Sequence, residues 1–276
     1  DFFADHFKEF SVIFLKYLPY NNKLVYVDFD ESEATIIEKI KGTICEILTL
    51  FSKKYDEDFE NAQEFVKAVW ELLTTTGLGV KYDILVSHAI KFLVSVANQI
   101  QHREMFHNEE ILKGICEKVI LPNMFLRETD EELFNDDPIE FIRRDLEGSN
   151  ADTRRGAASE LVSALLTVHP QLVTEIFSKY VELNLQEYSA NPKKNWKSKD
   201  MAMFLITSLS VVGQTSRLGA TKVNELVPIL PFLQSTVLPD LRAPENILHP
   251  LLIADALKFV MTFRSLLNKE QLFEIL

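Results

Sequence analysis

The sequence has little with which to cross-link itself, punctuate itself or anchor in a bilayer. Two cysteines, Cys45 and Cys116, occur in 276 residues, and both fall inside apolar runs. They read as buried thiols in a reducing compartment, because no disulfide framework can be built from so few. No Asn-x-Ser/Thr sequon occurs, which fits an intracellular protein. No apolar run approaches the ~18 residues of a membrane span, and no signal peptide is present. Positive charge is also scarce. The 29 Lys and Arg face 41 Asp and Glu, a formal net charge of −12 and a pI near 5.0. A phosphate backbone would repel such a chain, so general nucleic-acid binding is excluded. A basic protein surface is its natural complement.

Catalytic signatures are missing as well. The six histidines (6, 88, 102, 107, 169 and 249) form no His-Glu-x-x-His pattern, and no cysteine stands at zinc spacing from another. His102 and His107 flank "REMF" in an expected turn and read as surface residues, and His88 reads as a satisfied residue at the core boundary. "TTGLGVK" at Thr75–Lys81 imitates a phosphate loop but lacks the four-residue spacer and the Lys-Ser/Thr ending. Its glycines are expected to end a helix and turn the chain. Ser, His and Asp are scattered without a nucleophile elbow. No catalysed reaction, cofactor or metal is expected.

What the sequence does have is helical spacing. Ile36, Ile40, Ile44, Leu48 and Phe51 recur every three or four residues, as do Phe65, Val69 and Leu73. Leu85, Ala89, Phe92 and Val96 form another stripe, and Ile253, Ala256, Leu257, Val260 and Phe263 a fourth. Strand-like alternation is limited to "KLVYVDF" at Lys23–Phe29, too brief to count. The expected class is all-α. Most of the eight glycines mark helix ends.

Three helices open alike: "KYDILVSHAIKFL", "NADTRRGAASELV" and "SKDMAMFLITSLS". With Asp83, Asp152 and Asp200 in register, Ala89, Ala158 and Ile206 follow six residues later, and Phe92, Leu161 and Leu209 nine later. An Asp at a helix start meets free N–H groups and the positive end of the dipole, and the later positions share one face that must pack. Asp83 to Asp152 is 69 residues and Asp152 to Asp200 is 48, so the first interval is longer by 21. A period of about 48 with two helices falls at the long end of HEAT-type solenoids. The expectation is a right-handed stack of antiparallel helix pairs, with first helices such as Phe59–Thr75 and Leu172–Tyr188, and no sheet beyond two short strands. The helix after Pro250 leaves the Asp register. The amphipathic start (Phe2, Phe3, Phe7, Phe10, Ile13, Phe14) and the apolar finish "EQLFEIL" suggest a piece of a longer protein, with 1–276 a central run of repeats.

The excess residues place an insertion at 127–151. Glu128, Asp130, Glu131, Glu132, Asp136, Asp137 and Glu140 crowd into thirteen residues, with Leu133 and Phe134 among them. Pro138 then opens a short helix carrying "IEFIRRDLE". Two readings are open from these residues alone. One is a solvated connection. The other is a partner-facing segment with apolar anchors in a charged rim, built from Glu131, Glu132, Leu133, Phe134, Asp136, Asp137, Glu140, Arg143 and Arg144. Arg143 and Arg144 point about 100° apart on a helix, so one of them is expected to pair with a nearby carboxylate such as Glu140 or Glu147. Arg154 and Arg155 open the next helix against its dipole and need acids from a neighbouring turn or a partner.

"DPIEFIRRDLEGSNADTRRGAASELV" at 137–162, with "KYDILVSHAIKFL" and "ICEKVILPNMFLR" before it, resembles the CAS-type export receptors of the karyopherin-beta family. "NPKKNWKSKDMAMFLITSL" and "ALKFVMTFRSLLNKEQL" continue the resemblance, which runs along essentially the whole chain. Gly156–Ala157 departs from it, where relatives favour bulkier residues. The resemblance implies a cargo receptor of about twenty HEAT repeats. Such a receptor holds importin-alpha together with the small GTPase Ran in its GTP form and shuttles between nucleus and cytoplasm, with nucleoporins as further candidate contacts. It implies no cofactor on this chain, since the GTP belongs to Ran, and neither nucleic acid nor membrane insertion. This chain would be the central arch and hinge. A static HEAT scaffold of an enzyme complex is the competing reading.

Overall fold

The computed structural model describes residues 5–22, 24, 33–55, 59, 61–146, 153–215, 217–244 and 247–271. Two compact units emerge, one from 1–123 and 127–168, the other from 124–126 and 169–276. In the first unit, α1 (Phe7–Tyr17), α2 (Ile36–Lys54), α3 (Ala62–Thr75) and α4 (Asp83–Asn98) are followed by a 3-10 run, Ile100–Phe106. α5 (Glu109–Ile115) continues through a π turn, Cys116–Ile120, into Leu121–Met124. The insertion holds α6 (Glu128–Asp136) and α7 (Pro138–Leu146), and α8 (Arg154–Val168) resumes the stack.

α4 is the centre of this unit and packs on α2, α3 and α8. Val86, Ala89, Ile90, Phe92, Leu93 and Val96 on α4 are all buried, and α8 contributes Ala157, Ala158, Leu161, Val162 and Leu165. The +6 and +9 positions of the Asp register are therefore core, Ile206 and Leu209 included. α8 runs unbroken through Gly156 and Ala157, its start capped by the Thr153 hydroxyl accepting from Gly156 N–H at 3.0 Å. A second core region is aromatic: Phe7 stacks on Phe51 with ring centroids 3.6 Å apart, and Phe59 and Phe65 stack at 5.8 Å. α2 starts at a capping box in which Thr35 accepts from Ile37 N–H and Glu38 accepts from Thr35 N–H. Cys45 and Cys116 are buried free thiols, and burial pushes the Cys45 thiol up to about 12. His88 sits at the core boundary as expected, its Nδ1–H donating to the Gly42 carbonyl at 3.2 Å.

The second unit pairs α9 (Pro170–Ala190) with α10 (Trp196–Ser210), and α11 (Pro250–Phe263) packs on α10. A helical run over residues 229–241 lies beneath, with a π turn at Leu233–Val237. Lys199 and Asp240 form a buried ion pair at 2.6 Å that fastens α10 to this run. Burial raises the Asp240 carboxyl above its usual range, although the ammonium of Lys199 opposes that.

An antiparallel hairpin, β1 (Val211–Thr215) and β2 (Gly219–Val223), follows α10 directly. It was not foreseen, because register shifts at Gly213 blur any alternation along β1. "KLVYVDF" lies, apart from Leu24, outside the described residues, as do Asp152 and Glu147. Gly219 adopts φ +76°, and a Cβ there would collide with the Thr262 carbonyl and come within 2.9 Å of the Met261 carbonyl. Gly219→Ala should therefore cost about 2–4 kcal/mol, from the left-handed backbone and an overpacked contact with backbone that cannot yield. An unchanged urea-unfolding midpoint would refute this packing of β2 on the end of α11.

Candidate functional site

The insertion is a helical hairpin. The acidic segment, read from sequence as a solvated connection or a partner-facing segment, is itself the helix α6. Its acids explain why: Glu128, Asp130 and Glu131 occupy the first turn, where negative charge meets the positive helix end. Asp130 reaches back to accept from the Arg127 backbone N–H at 3.1 Å. α6 then stops at Asp137, whose carboxylate accepts from Glu140 N–H at 3.0 Å and whose carbonyl accepts from Phe141 N–H, so α7 starts at once with Pro138. Phe134 on α6 meets the buried Phe141 on α7 edge-on, 5.5 Å between centroids.

The hairpin is tied down at its base by three arginines and two aspartates. Arg127 grips Asp83 with two hydrogen bonds, Nη1 to Oδ1 at 2.7 Å and Nη2 to Oδ2 at 3.0 Å. The same guanidinium donates to Asp130 from Nε at 2.9 Å and from Nη2 at 3.1 Å. Arg144 on α7 joins Asp130 at 3.0 Å. Arg154, only 4 % exposed, donates from Nε to Asp83 at 2.6 Å and from Nη1 to Asn123 at 3.1 Å. Asn123 is held in turn by the Val119 carbonyl at 2.7 Å.

Electrostatics follow the geometry. Burial works against the charged Asp130 carboxylate, but hydrogen bonds and charge from Arg127, with Arg144 beside it, hold its carboxyl below the usual range. Burial likewise opposes the Arg127 cation, and Asp130 and Asp83 more than restore it. For Arg154 burial prevails and lowers the guanidinium, despite Asp83.

Three consecutive carbonyls of the Thr75–Lys81 turn complete the network. Arg154 Nη2 donates to Gly77 O and to Gly79 O, both at 3.1 Å, and Arg127 Nη1 donates to Leu78 O at 3.0 Å. A phosphate loop aims N–H groups at an anion. This turn aims oxygens at cations, the opposite polarity, and its glycines indeed follow the end of α3 at Thr75.

The residues named from sequence fall into two groups. Glu132, Asp136, Asp137, Glu140 and Arg143 are exposed, whereas Glu131, Leu133, Phe134 and Arg144 are half-buried. Glu128, Glu132 and Asp136, spaced by four, make an exposed carboxylate stripe along α6. Leu133 and Phe134 are half-buried, and Phe134 spends its ring on Phe141. Arg144 pairs with Asp130 rather than with Glu140, because α6 and α7 pack together and a buried carboxylate gains most from a cation. Arg154 is held by an acid of another helix, as its position against the dipole requires. Sequence reading missed Arg127, whose signal was faint: an aspartate three residues on, at the mouth of the insertion.

Among the described residues no three His, Cys, Asp or Glu side chains group to hold a metal, and no helix is long and apolar enough to cross a membrane.

Fold and hairpin together define the class, a mostly helical chain of HEAT-type helix pairs with a helical hairpin braced by buried arginines. The Cse1 family profile matches residues 1–276, so the chain belongs to the Cse1 family. An exportin-2 of Oreochromis niloticus is 48% identical over 275 residues, covering 99% of this chain and 28% of that protein. An importin-alpha re-exporter of Schizosaccharomyces pombe is 42% identical over 275 residues, covering 100% of this chain and 28% of the relative. The solved structure of the exportin Cse1 in its cargo-free, cytoplasmic state superposes with a TM-score of 0.95 at 40% identity, over all of this chain and 30% of that one. The chain thus spans about 28% of the length of the curated relatives it matches.

Proposed function

We propose that this chain is the central segment of a nuclear export receptor that carries importin-alpha out of the nucleus together with Ran in its GTP form. The observation that carries the reading is the family match over every residue, with a relative named for importin-alpha re-export. Shuttling between nucleus and cytoplasm follows from that role. The segment catalyses nothing in it: it contributes stacked helix pairs and, in the acidic hairpin, a partner-facing surface. Glu132, Asp136, Asp137 and Glu140 are the exposed charges that meet a basic partner, and Glu131 stands beside them. Leu133, Phe134 and Arg144 shape the hairpin, and Arg143 marks its outer side.

A static HEAT scaffold would bind its partners regardless of nucleotide, and the family match speaks against it. The test is a pull-down of importin-alpha by the full-length receptor with Ran loaded with GTP or GDP. Retention in the GTP form alone is expected. Equal retention in both forms would favour the scaffold.

A further inference from the structure

The turn that receives the arginines exposes apolar side chains in an unusual setting. Leu78 is 50 % exposed and Val80 44 %, and Ile84 on the first turn of α4 is 60 % exposed. Loop tips are ordinarily polar and mobile. Here the backbone beneath Leu78 is fastened at Gly77, Leu78 and Gly79 by two guanidinium groups that are themselves largely buried. Arg127 touches the Leu78 carbonyl and Asp130 of α6 at once, so the turn and the acidic helix are immediate neighbours on one rigid base. The pinned carbonyls serve the buried guanidinium groups, but a fixed position for the exposed leucine and valine side chains serves no packing. It lowers the ordering cost of an association instead.

We propose that the Gly77–Gly79 turn is the apolar half of a docking surface whose charged half is the Glu128, Glu132 and Asp136 stripe. Its occupant is a basic protein surface that carries an exposed apolar side chain. Charge complementarity selects that partner: the neighbouring stripe is exposed carboxylate in a chain of net charge −12, while Arg127, Arg144 and Arg154 are spent on Asp83 and Asp130. The apolar anchors assigned from sequence to Leu133 and Phe134 are supplied by Leu78 and Val80 instead. The inference deepens the proposed function and rests on the hairpin being partner-facing.

The test uses the full-length receptor, with purified importin-alpha and Ran·GTP as the probe. Leu78→Ser combined with Val80→Ser should weaken the complex about tenfold, the order expected for losing a central apolar anchor. The loss should be equal at low and at high salt, and thermal stability should be unchanged. A companion Leu78→Cys variant should gain a thiol that reacts freely in the uncomplexed receptor and is protected in the complex. Unchanged affinity overturns the inference whatever the acidic residues do, and charge reversal on α6 separately decides the proposed function. A fallen melting temperature overturns it too, since the side chains would then serve the fold. Protection of the new thiol in the uncomplexed receptor would show another part of the chain as the occupant, and would also overturn it.

Discussion

Asp83→Ala is expected to destabilise the first unit by about 3 kcal/mol, towards the lower end of the cost of breaking a buried ion pair. The side chain of Asp83 is 25 % exposed, which moderates the cost, but its two partners are only 15 % and 4 % exposed. Removing the carboxylate takes one of the two aspartates from Arg127 and strips Arg154 of the acid its Nε donates to, leaving a desolvated cation among carbonyls and Asn123. Burial already lowers Arg154, so the lost counter-charge has no ready substitute. The damage should be local as well as global. Amide exchange should accelerate in the Thr75–Lys81 turn and in α6, which the arginines join. Glu132→Ala, an exposed control, should be silent. The comparison belongs near neutral pH for a reason of sign. Asp130 is held below its usual range, so its contribution is complete above the unfolded carboxylate value of about 3.9 and vanishes only as pH falls through the lower folded value. A variant with unchanged stability and unchanged exchange would mean that the network decorates the hairpin rather than holding it.

The helical core was legible in the sequence because burial on a helix repeats every 3.6 residues. Phe92, Leu161 and Leu209 share a register position and all are fully buried. The excess spacing between Asp83 and Asp152 pointed to the stretch in which α6 and α7 form a helical hairpin. What could not be read were partnerships between distant residues. Asp83 looked like a helix-start acid, and it does open α4, yet its charge serves Arg127 and Arg154, 44 and 71 residues away. No local rule pairs them. One of Arg143 and Arg144 was expected to pair with a neighbour in its own helix, whereas Arg144 meets Asp130 of the facing helix. Acidity misled the reading of α6, since seven carboxylates in thirteen residues suggest a loop until their position at a helix start is considered. The β1–β2 hairpin escaped because its strands are five residues each and irregular in register.

The second large effect is kinetic, and it bears on the central claim that the braced acidic hairpin faces a basic partner. Replacing Glu131, Glu132, Asp136 and Asp137 by lysine reverses four charges on one short hairpin. No single exposed pair contributes much, so the Glu131, Glu132 and Asp136 changes should each be nearly silent, whereas Asp137→Lys also removes the carboxylate that accepts from Glu140 N–H and should cost about 1 kcal/mol of stability. Together they change the sign of the local field, which acts on diffusional encounter before any contact forms. The ternary-complex association rate should fall about tenfold or more at low salt. Above ~0.15 M, where the Debye length shrinks to ~8 Å, the difference should narrow. Dissociation should change less, because the Phe134–Phe141 contact and the ion pairs of Asp130 are untouched. The decisive measurement is the association rate of full-length wild type and quadruple variant with importin-alpha and Ran·GTP at two ionic strengths, with intact folding verified by thermal unfolding. A large rate deficit at low salt that closes at high salt is the expected result. Equal rates at low salt would contradict the claim and leave the hairpin a solvated connection.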